Sequence, residues 1–432
     1  MKRVAEMKHA AEMKRVVVTG LGFITSIGNS KAEVIRSLRE VRTGIEIFDQ
    51  LDKPNIPVKL AGTVKGFSFK VPKPEEWTMP EGYEITRDQL RPMGPNALYA
   101  YCAMHQAIRD AQLTEDMVSN PRTGAMCASA GSTWLTYEFE SVMLTKGIYR
   151  CYPFGMVASI PGGLNINIGA CFKIKGSMLG VATACTSSLH TFGIAADQIR
   201  LGRQDRMFVV GAEDCNMHTI LPFAAMRALT QKTDPSLSPC AFDKNRDGFV
   251  ITGGSVVLVL EEMELALQRG AHIYAEVPGW GESSDGYSVI APHPEGEGVV
   301  RAMNNAMEYA GVTPGDIDYL NAHATSTIAG DLAEITAIKK VFAGSKPPRV
   351  SSTKSLTGHG LSLAGALETA ICCLALDEGF MPVSANIRDL DPMCDGIPII
   401  TQPIDAVPKT VINNGSAFGG TNVAVVLRKP EF

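Results

Sequence analysis

The stretch MLGVATACTSSLHTFGIAADQIRLG, residues 178–202, decides the fold because a strand pattern in it passes directly into a helix pattern. Its apolar start, followed by small residues, is typical of a short buried strand. From about Thr186 to Leu201 the apolar side chains follow helical spacing, and Gly202 ends the pattern. Because this helix is apolar around most of its circumference, we expect it to lie inside the protein, covered on more than one side.

A second helix of the same kind is predicted near the C-terminus, from about Leu361 to Leu376. In addition, a glycine pair followed by a valine-rich run occurs twice, at residues 253–260 and 419–427. This internal echo predicts two similar halves with a seam near residues 264–275, and a chance match is the alternative. Each half would then supply one buried helix to a central layer between two sheets.

Strand-like runs alternate with helical stretches along the whole chain, which predicts an α/β protein with largely buried sheets. An apolar content of 45% with 20% charged residues agrees with an extensive core. Residues 1–12 are charged and lack the apolar run of a signal peptide, so we expect them to lie outside the fold. We therefore divide the chain into an extension, residues 1–12, and two halves, residues 13–270 and 271–432.

Charge and cysteine content exclude several classes of protein. The formal net charge is -5 and no cluster of Lys and Arg stands out, so nothing indicates a nucleic-acid partner. The ten cysteines are scattered without a CxxC pair, which favours a reducing cytoplasm and gives no metal-ligand spacing. The apolar runs fall far short of the roughly 20 residues of a membrane helix, so we expect a soluble protein.

Cys185 follows the predicted strand and precedes the first buried helix. Free backbone N–H groups and the positive end of the helix dipole stabilise a thiolate, which predicts a lowered cysteine pKa and reactivity toward thioesters. Its neighbours, in the run TACTSS of residues 183–188, are small and leave access to the sulfur. The alternative is inert packing, since cysteine is among the most buried residue types, and we interpret the other nine cysteines in that way.

Polar side chains also precede the second buried helix. His323 ends a strand-like run, and Lys354 and His359 lie five residues apart just ahead of the helix. The carboxyl end of a strand is the usual position of an active site in an α/β fold. A lone histidine is more often a hydrogen-bonded spacer, but here three such features converge. Asp331 followed by Glu334 matches a capping box, so we predict a helix cap there.

Six motifs resemble, in family order, those of the β-ketoacyl-acyl-carrier-protein synthases that elongate fatty acids, especially the synthase I and II types. They are TACTSS at 183–188, FDKNRDGFV at 242–250, GAHIYAE at 270–276, NAHATST at 321–327, KSLTGH at 354–359 and FGGTN at 418–422. The resemblance runs from Met13 to about Lys429. It implies the thiolase-like fold, in which two similar halves form the five layers αβαβα, normally as a homodimer.

The same resemblance implies a role for each matching side chain. Cys185 is expected to be the nucleophile that takes an acyl group from a carrier-protein thioester. His323 and His359 are expected to assist decarboxylation of a malonyl group and to stabilise the enolate oxygen. Lys354 would hold this cluster in its working protonation state, and Glu334 matches a buried acid of the family.

Further positions follow from the motif at residues 418–422. Phe418 matches a gate beside the nucleophile, and its backbone N–H with that of Cys185 would form an oxyanion hole. Four more residues are substrate-binding candidates: Thr325, Thr327, Gly419 and Gly420. The implied reaction is a decarboxylative Claisen condensation that gives a 3-oxoacyl product two carbons longer, and it requires no metal or organic cofactor.

The chain departs from the family pattern at two places. Ala324 stands where Gly is usual, and Ser416 with Ala417 stands where Phe-Gly is common. Losing an aromatic ring frees volume near the nucleophile, so we hypothesise an atypical acyl chain, such as a polyene or branched primer of a specialised polyketide pathway. The remaining alternatives are a thiolase or related acyltransferase acting on coenzyme A thioesters, and a non-catalytic chain-length partner subunit.

The resemblance also implies partners. An acidic acyl carrier protein is expected to deliver the acyl and malonyl thioesters, and Arg87 and Arg91 are candidate contacts at helical spacing. A related, non-identical subunit in place of the second copy of the homodimer is the alternative.

Overall fold

The computed structural model describes residues 13–431 and is built around one ten-stranded sheet with two five-stranded sections. The predicted extension over residues 1–12 lies outside the described residues. The strands are β1 Val16–Ile24, β2 Ile45–Ile47, β3 Leu60–Gly62, β4 Thr123–Ala128, β5 Met178–Val181, β6 Arg206–Glu213, β7 Gly254–Glu262, β8 Ala275–Ser284, β9 Tyr319–Asn321, β10 Arg349–Ser351, β11 Thr410–Ala417 and β12 Thr421–Arg428. Strands β2 and β3 form a separate two-stranded ribbon.

Helices cover both faces of the large sheet. They are α1 Lys31–Arg39, α2 Arg87–Leu90, α3 Pro95–Asp110, α4 Glu115–Val118, α5 Thr133–Lys146, α6 Gly155–Ser159, α7 Gly163–Cys171, α8 Ser187–Arg200, α9 Met217–Ala225, α10 Met263–Gln268, α11 Glu297–Ala310, α12 Ile328–Val341, α13 Lys354–Thr357 and α14 Ala364–Glu378. Among residues 13–431, no helix combines the length and the apolar character needed to cross a lipid bilayer.

Both sections of the sheet have the same strand order. The first section runs β5-β4-β6-β7-β1 and the second runs β10-β9-β11-β12-β8. In each, the first two pairings of that order are parallel and the last two are antiparallel. The duplication that the glycine and valine echo predicted is therefore present in the topology. The predicted boundary at residues 270/271 falls between α10 and β8, and as a domain boundary it stays a prediction.

The predicted buried helices, α8 and α14, form a layer between the two sections of the sheet. Both helices contact strands of both sections, whereas α3 covers the outer face of the first section and α11 that of the second. Every residue from Ala364 to Leu376 is buried, as expected for a helix enclosed on all sides. The resulting order of layers is αβαβα, which confirms the predicted fold class. Helix α14 begins later than predicted because residues 361–363 form a 3₁₀ turn ahead of it.

The seam between the two sections contains few backbone hydrogen bonds. Strands β1 and β8 pair over only two residue pairs, Val17 with Glu276 and Val18 with Ala275. The shared helical layer therefore holds the halves together more than the sheet does.

The outer helix α3 approaches β1 closely at Gly22. A Cβ atom at this position would lie 2.0 Å from the backbone carbonyl oxygen of Ala103. We expect Gly22→Ala to lower the free energy of unfolding by about 1–3 kcal/mol, because strand and helix must move apart. Urea denaturation measures the effect. Gly162→Ala is the matched control, since a Cβ there meets nothing within 4 Å, and equal midpoints for the two variants would contradict the close packing.

Candidate active site

Cys185 lies in a tight turn between β5 and α8. Ala184 has a φ of 50°, and this left-handed conformation turns the chain sharply just before the cysteine. The backbone N–H of Ser187 donates to the carbonyl of Ala184 at 3.1 Å, and its side-chain hydroxyl accepts from the N–H of Thr183 at 2.9 Å. The sulfur is thereby held at the start of the buried helix, as the sequence predicts.

The fold brings Cys185 together with two histidines that are distant from it in sequence. Nε2 of His359 lies 3.0 Å from Sγ of Cys185. The rings of His323 and His359 meet edge to face, with centroids 5.3 Å apart. One nitrogen of each ring and the sulfur all lie within 4.8 Å of one another. The three predicted side chains therefore share one site, with the thiol from the first half and the imidazoles from the second.

Lys354 lies behind the histidines and forms a buried ion pair that sequence reasoning missed. Its Nζ is 3.4 Å from Nδ1 of His323 and also donates to Oε1 of Glu368. Both charged side chains are buried. A signal for Glu368 was available, because it is the one charged residue between Leu361 and Leu376 in an otherwise apolar helix. An acid in such a place requires a buried partner.

Burial makes both imidazoles neutral. Burial, and secondly the Lys354 ammonium, lowers the pKa of His323 and of His359 well below the usual value. A neutral imidazole has one N–H donor and one acceptor nitrogen. Because the ammonium faces Nδ1 of His323, that nitrogen accepts and Nε2 carries the proton. His359 has no partner at Nδ1 within residues 13–431, so no contact fixes its tautomer.

The cysteine is a thiol at rest, contrary to the predicted thiolate. Burial raises the pKa of Cys185 to about 12. The Lys354 ammonium lowers the pKa in part, but the carboxyls of Glu213 and Glu368 raise it. The predicted lowering is wrong because the residues around the sulfur take hydration from its charged form, although Cys185 is only partly buried and lines an open cavity. Nε2 of His359 is positioned to take the thiol proton as the sulfur attacks.

Asp331 and Glu334 organise the loop that carries His323. The two carboxylate oxygens of Glu334 accept the backbone N–H groups of His323 and Ala324 at 2.8 and 2.6 Å. Asp331 accepts the N–H of Ser326 at 3.0 Å. The predicted helix cap is wrong, because α12 begins at Ile328 and both carboxylates lie inside it, reaching back to the preceding loop.

A cavity of about 380 Å³ opens onto the cluster. Its wall contains the predicted gate Phe418 and the predicted substrate-binding residues Thr325 and Thr327. Gly419 and Gly420 lie just beyond the wall, where φ values of 85° and 74° form the turn between β11 and β12. Their part in substrate binding stays a prediction.

The sulfur and the two imidazoles are also a donor set that zinc accepts. Sequence spacing gave no sign of it, because the fold collects the three groups from separate segments. A metal nevertheless fits poorly, since the Lys354 ammonium leaves the proton on Nε2 of His323, the nitrogen that would have to bind.

Glu213, at the end of β6, is a buried carboxyl beneath the site. Its Oε1 accepts the backbone N–H groups of Ala130 and Ser362 at 3.0 and 3.2 Å. Burial raises the pKa of Glu213 to about 8 from a usual value of 4.5. The folded state thus binds this proton more tightly than the unfolded state. Its stabilising contribution is complete below about pH 4.5 and is lost as the pH rises through about 8.

We expect Glu213→Gln to resemble the wild type in stability at pH 5 and to exceed it at pH 9 by on the order of a few kcal/mol. The amide keeps the acceptor oxygen and carries no charge. Urea unfolding of both proteins at the two pH values measures the difference. If both lose the same free energy between these pH values, Glu213 is not a proton-binding group of the folded state.

Family models match both halves of the chain. The model described as the β-ketoacyl synthase N-terminal domain matches residues 13–266, and that of the C-terminal domain matches residues 274–388. The chain is 42% identical to 3-oxoacyl-acyl-carrier-protein synthase 1 of Haemophilus influenzae over 422 residues, which cover 96% of this chain and 99% of the relative.

Two solved structures have the same fold. A β-ketoacyl synthase from Burkholderia phymatum superposes with a TM-score of 0.89 at 30% identity and covers 97% of this chain and 100% of its own. A second structure, described as the ishigamide ketosynthase/chain length factor, superposes with a TM-score of 0.87 at 31% identity and has the same coverage. These similarities span both halves of the chain.

Proposed function

This chain belongs to the β-ketoacyl synthase family, and from that premise we propose how its residues carry out the condensation of fatty-acid elongation. The enzyme is an acyltransferase of the 3-oxoacyl-acyl-carrier-protein synthase type. The observation that carries the assignment of roles is the 3.0 Å contact between Sγ of Cys185 and Nε2 of His359, beside a second neutral imidazole. No other cluster described above combines a nucleophile, a base and an adjoining cavity.

In the first step the acyl group moves to the cysteine. Sγ of Cys185 attacks the thioester carbonyl of the acyl carrier while its proton passes to Nε2 of His359. The backbone N–H groups of Cys185 and Phe418 are the proposed donors to the oxyanion. The bond to the carrier sulfur then breaks, and that sulfur leaves with the proton. The product is an acyl-enzyme and a free carrier thiol.

In the second step the malonyl carrier replaces the first carrier. The bond between the malonyl methylene and its carboxylate breaks, which releases carbon dioxide and leaves an enolate. Nε2 of His323 donates an N–H to the enolate oxygen. His359 supplies a second donor once its ring proton has moved from Nδ1 to Nε2, a change that no contact of Nδ1 opposes within residues 13–431. The enolate carbon attacks the acyl carbonyl, and the sulfur of Cys185 leaves as a thiolate. It takes up one proton from solvent, which the overall reaction consumes. Two neutral imidazoles suit this step because they stabilise negative oxygen without protonating the carbanion.

Water must be kept from the acyl-enzyme so that it condenses and is not hydrolysed. The cavity wall supplies apolar surface for this purpose, with the rings of Phe223, Phe249 and Phe418 among its residues. Phe418 packs against Phe223 with centroids 6.2 Å apart, and this contact supports its proposed role as a gate. The free state of all ten cysteines supports a reducing, cytoplasmic location.

The proposed partner is an acyl carrier protein, as the name of the Haemophilus influenzae relative states for that enzyme. Arg87 and Arg91 are less suitable contacts than predicted, because both lie beside Glu75, at 3.7 and 3.5 Å, and neither lines the cavity. Arg227 is exposed and lies in the cavity wall. We therefore assign Arg227 to the carrier contact.

A homodimer is proposed from the exposed edge of the first sheet section. Strand β5 is the terminal strand there, and Leu179 on it is 44% exposed. Other large apolar side chains of the first half are also exposed: Tyr137, Leu144, Ile148, Tyr149 and Ile166. An open strand edge and exposed apolar side chains favour pairing with a second chain. The alternative partner is a related, non-identical subunit. The 31% identity to a ketosynthase/chain length factor favours this alternative, and it also favours a specialised acyl chain as the substrate.

We expect Cys185→Ala to abolish the acyl adduct and to lower condensation by several orders of magnitude, because Cys185 is the one thiol grouped with the imidazoles among residues 13–431. Intact-protein mass spectrometry after incubation with acyl carrier detects the adduct. An adduct that persists in the variant would assign the nucleophile to another residue. Carbon dioxide release from malonyl carrier is measured in parallel, and its absence in the wild type would favour the non-catalytic subunit.

We expect Leu179→Lys to weaken dimerisation at least tenfold, because a charge at a strand edge opposes pairing. Sedimentation velocity over a range of concentrations measures the association. Val407→Lys is the control, since Val407 is similarly apolar and 51% exposed but lies far along the chain from β5. A dimer unaffected by Leu179→Lys would indicate that another surface forms the contact.

A further inference from the structure

His190 is a buried side chain, one helical turn beyond the nucleophile, that the steps above leave unused. It lies on α8 and is 6% exposed. Its Nδ1 is 2.9 Å from the hydroxyl of Thr183 and 3.2 Å from the carbonyl oxygen of Thr186. These two threonines flank the turn that presents Cys185. The ring therefore contacts the nucleophile turn on both sides of the sulfur.

The opposite edge of the ring contacts the second half of the chain. Nε2 of His190 lies 3.0 Å from Oε2 of Glu282 on β8. Because a carboxylate only accepts, Nε2 must carry a proton. On the other side of the ring, the Thr183 hydroxyl is able to donate to Nδ1 or to accept from it, whereas the Thr186 carbonyl only accepts. The Glu282 carboxylate is 58% exposed and serves as an anchor at the surface.

Packing keeps the ring in place. The indole of Trp280 lies edge-on to His190, with centroids 6.4 Å apart, and its N–H donates to Asp197 at 3.1 Å. A Cβ at Gly193 would lie 2.2 Å from Trp280, so the indole rests directly on α8. His190 is thus held between helix α8 and strand β8 with little room to rotate.

We propose that His190 is a positioning residue for Cys185. By holding Thr183, it fixes the turn so that Sγ keeps its 3.0 Å contact with Nε2 of His359, and Glu282 anchors the ring from the other half. Glu282 lies three residues before Asp285. The carboxylate of Asp285 accepts a hydrogen bond from the side-chain amide of Asn422 at 2.8 Å, beside the turn that follows Phe418. The nucleophile turn and the gate hairpin are therefore connected through the end of β8. This inference rests on the proposed function, because it assigns His190 to the acylation of Cys185.

Two substitutions separate the two contacts of the ring. The amide of His190→Asn reaches the position of Nδ1 and keeps the contact with Thr183, whereas that of His190→Gln reaches Nε2 and keeps only Glu282. We expect His190→Gln to slow acylation of Cys185 roughly 10- to 100-fold, because small displacements of a nucleophile have effects of that size. We expect the acylation rate of His190→Asn to stay within about threefold of the wild-type rate. In His190→Gln we expect kcat to fall while KM stays unchanged.

The rate of acyl-adduct formation from acyl carrier is the first readout, and the rate of Cys185 alkylation by iodoacetamide is the second. His272→Gln is the matched control, because His272 also pairs with a carboxylate, Asp377, at 3.1 Å, but lies outside the site. Melting temperatures of all variants are compared. Unchanged rates in His190→Gln, or equal losses in both His190 variants that parallel lowered melting temperatures, would overturn the positioning role. Failure of the proposed function is distinguishable, since the wild type would then form no adduct while alkylation still reports on the turn.

Discussion

The ion pair between Lys354 and Glu368 is the interaction on which the site depends. The two side chains are buried, and removing either one leaves the other without its partner at a cost of about 3–5 kcal/mol. The ammonium faces Nδ1 of His323 and thereby leaves the proton of that ring on the nitrogen next to the cavity. A pair of similar volume made of apolar side chains would pack well, but it could not orient an imidazole. The charges are therefore explained by function and not by stability.

Burial shifts the pKa of the cysteine and the pKa of the two histidines near this ion pair in opposite directions. It lowers the pKa of both histidines and raises that of the Cys185 thiol, so it favours the uncharged form of all three side chains. Charge then develops only during reaction, when the thiol proton moves to an imidazole or when an enolate forms. A dry site strengthens the N–H donors that meet this charge. For acylation, the contact between Sγ of Cys185 and Nε2 of His359 therefore matters more than a lowered cysteine pKa.

The sequence predicted the fold class, which is confirmed, because a helix apolar on all sides is a local pattern. It also predicted Cys185, His323, His359 and Lys354 as site residues from polar groups at the ends of strands, and the fold brings these four side chains together, while their roles stay a prediction. Glu368 was missed although a lone acid in an apolar helix indicates a buried partner, because the sequence does not show that this partner is Lys354 on another segment. The cap at Asp331 was wrong for the same reason, since its hydrogen bonds go to a loop and not to its own helix. The predicted lowering of the cysteine pKa was wrong because the local sequence shows that Cys185 precedes a helix, but not how far the fold buries its sulfur.

The narrow seam between β1 and β8 has a consequence for how the molecule unfolds. Since α8 and α14 are covered by strands of both halves, neither half encloses a complete core by itself. Separating the halves would expose the apolar helical layer to water, at a free-energy cost comparable with that of losing the whole fold. The chain therefore has two repeats but unfolds as a single cooperative unit. Because residues of both halves form the active site, the site is lost when that unit unfolds.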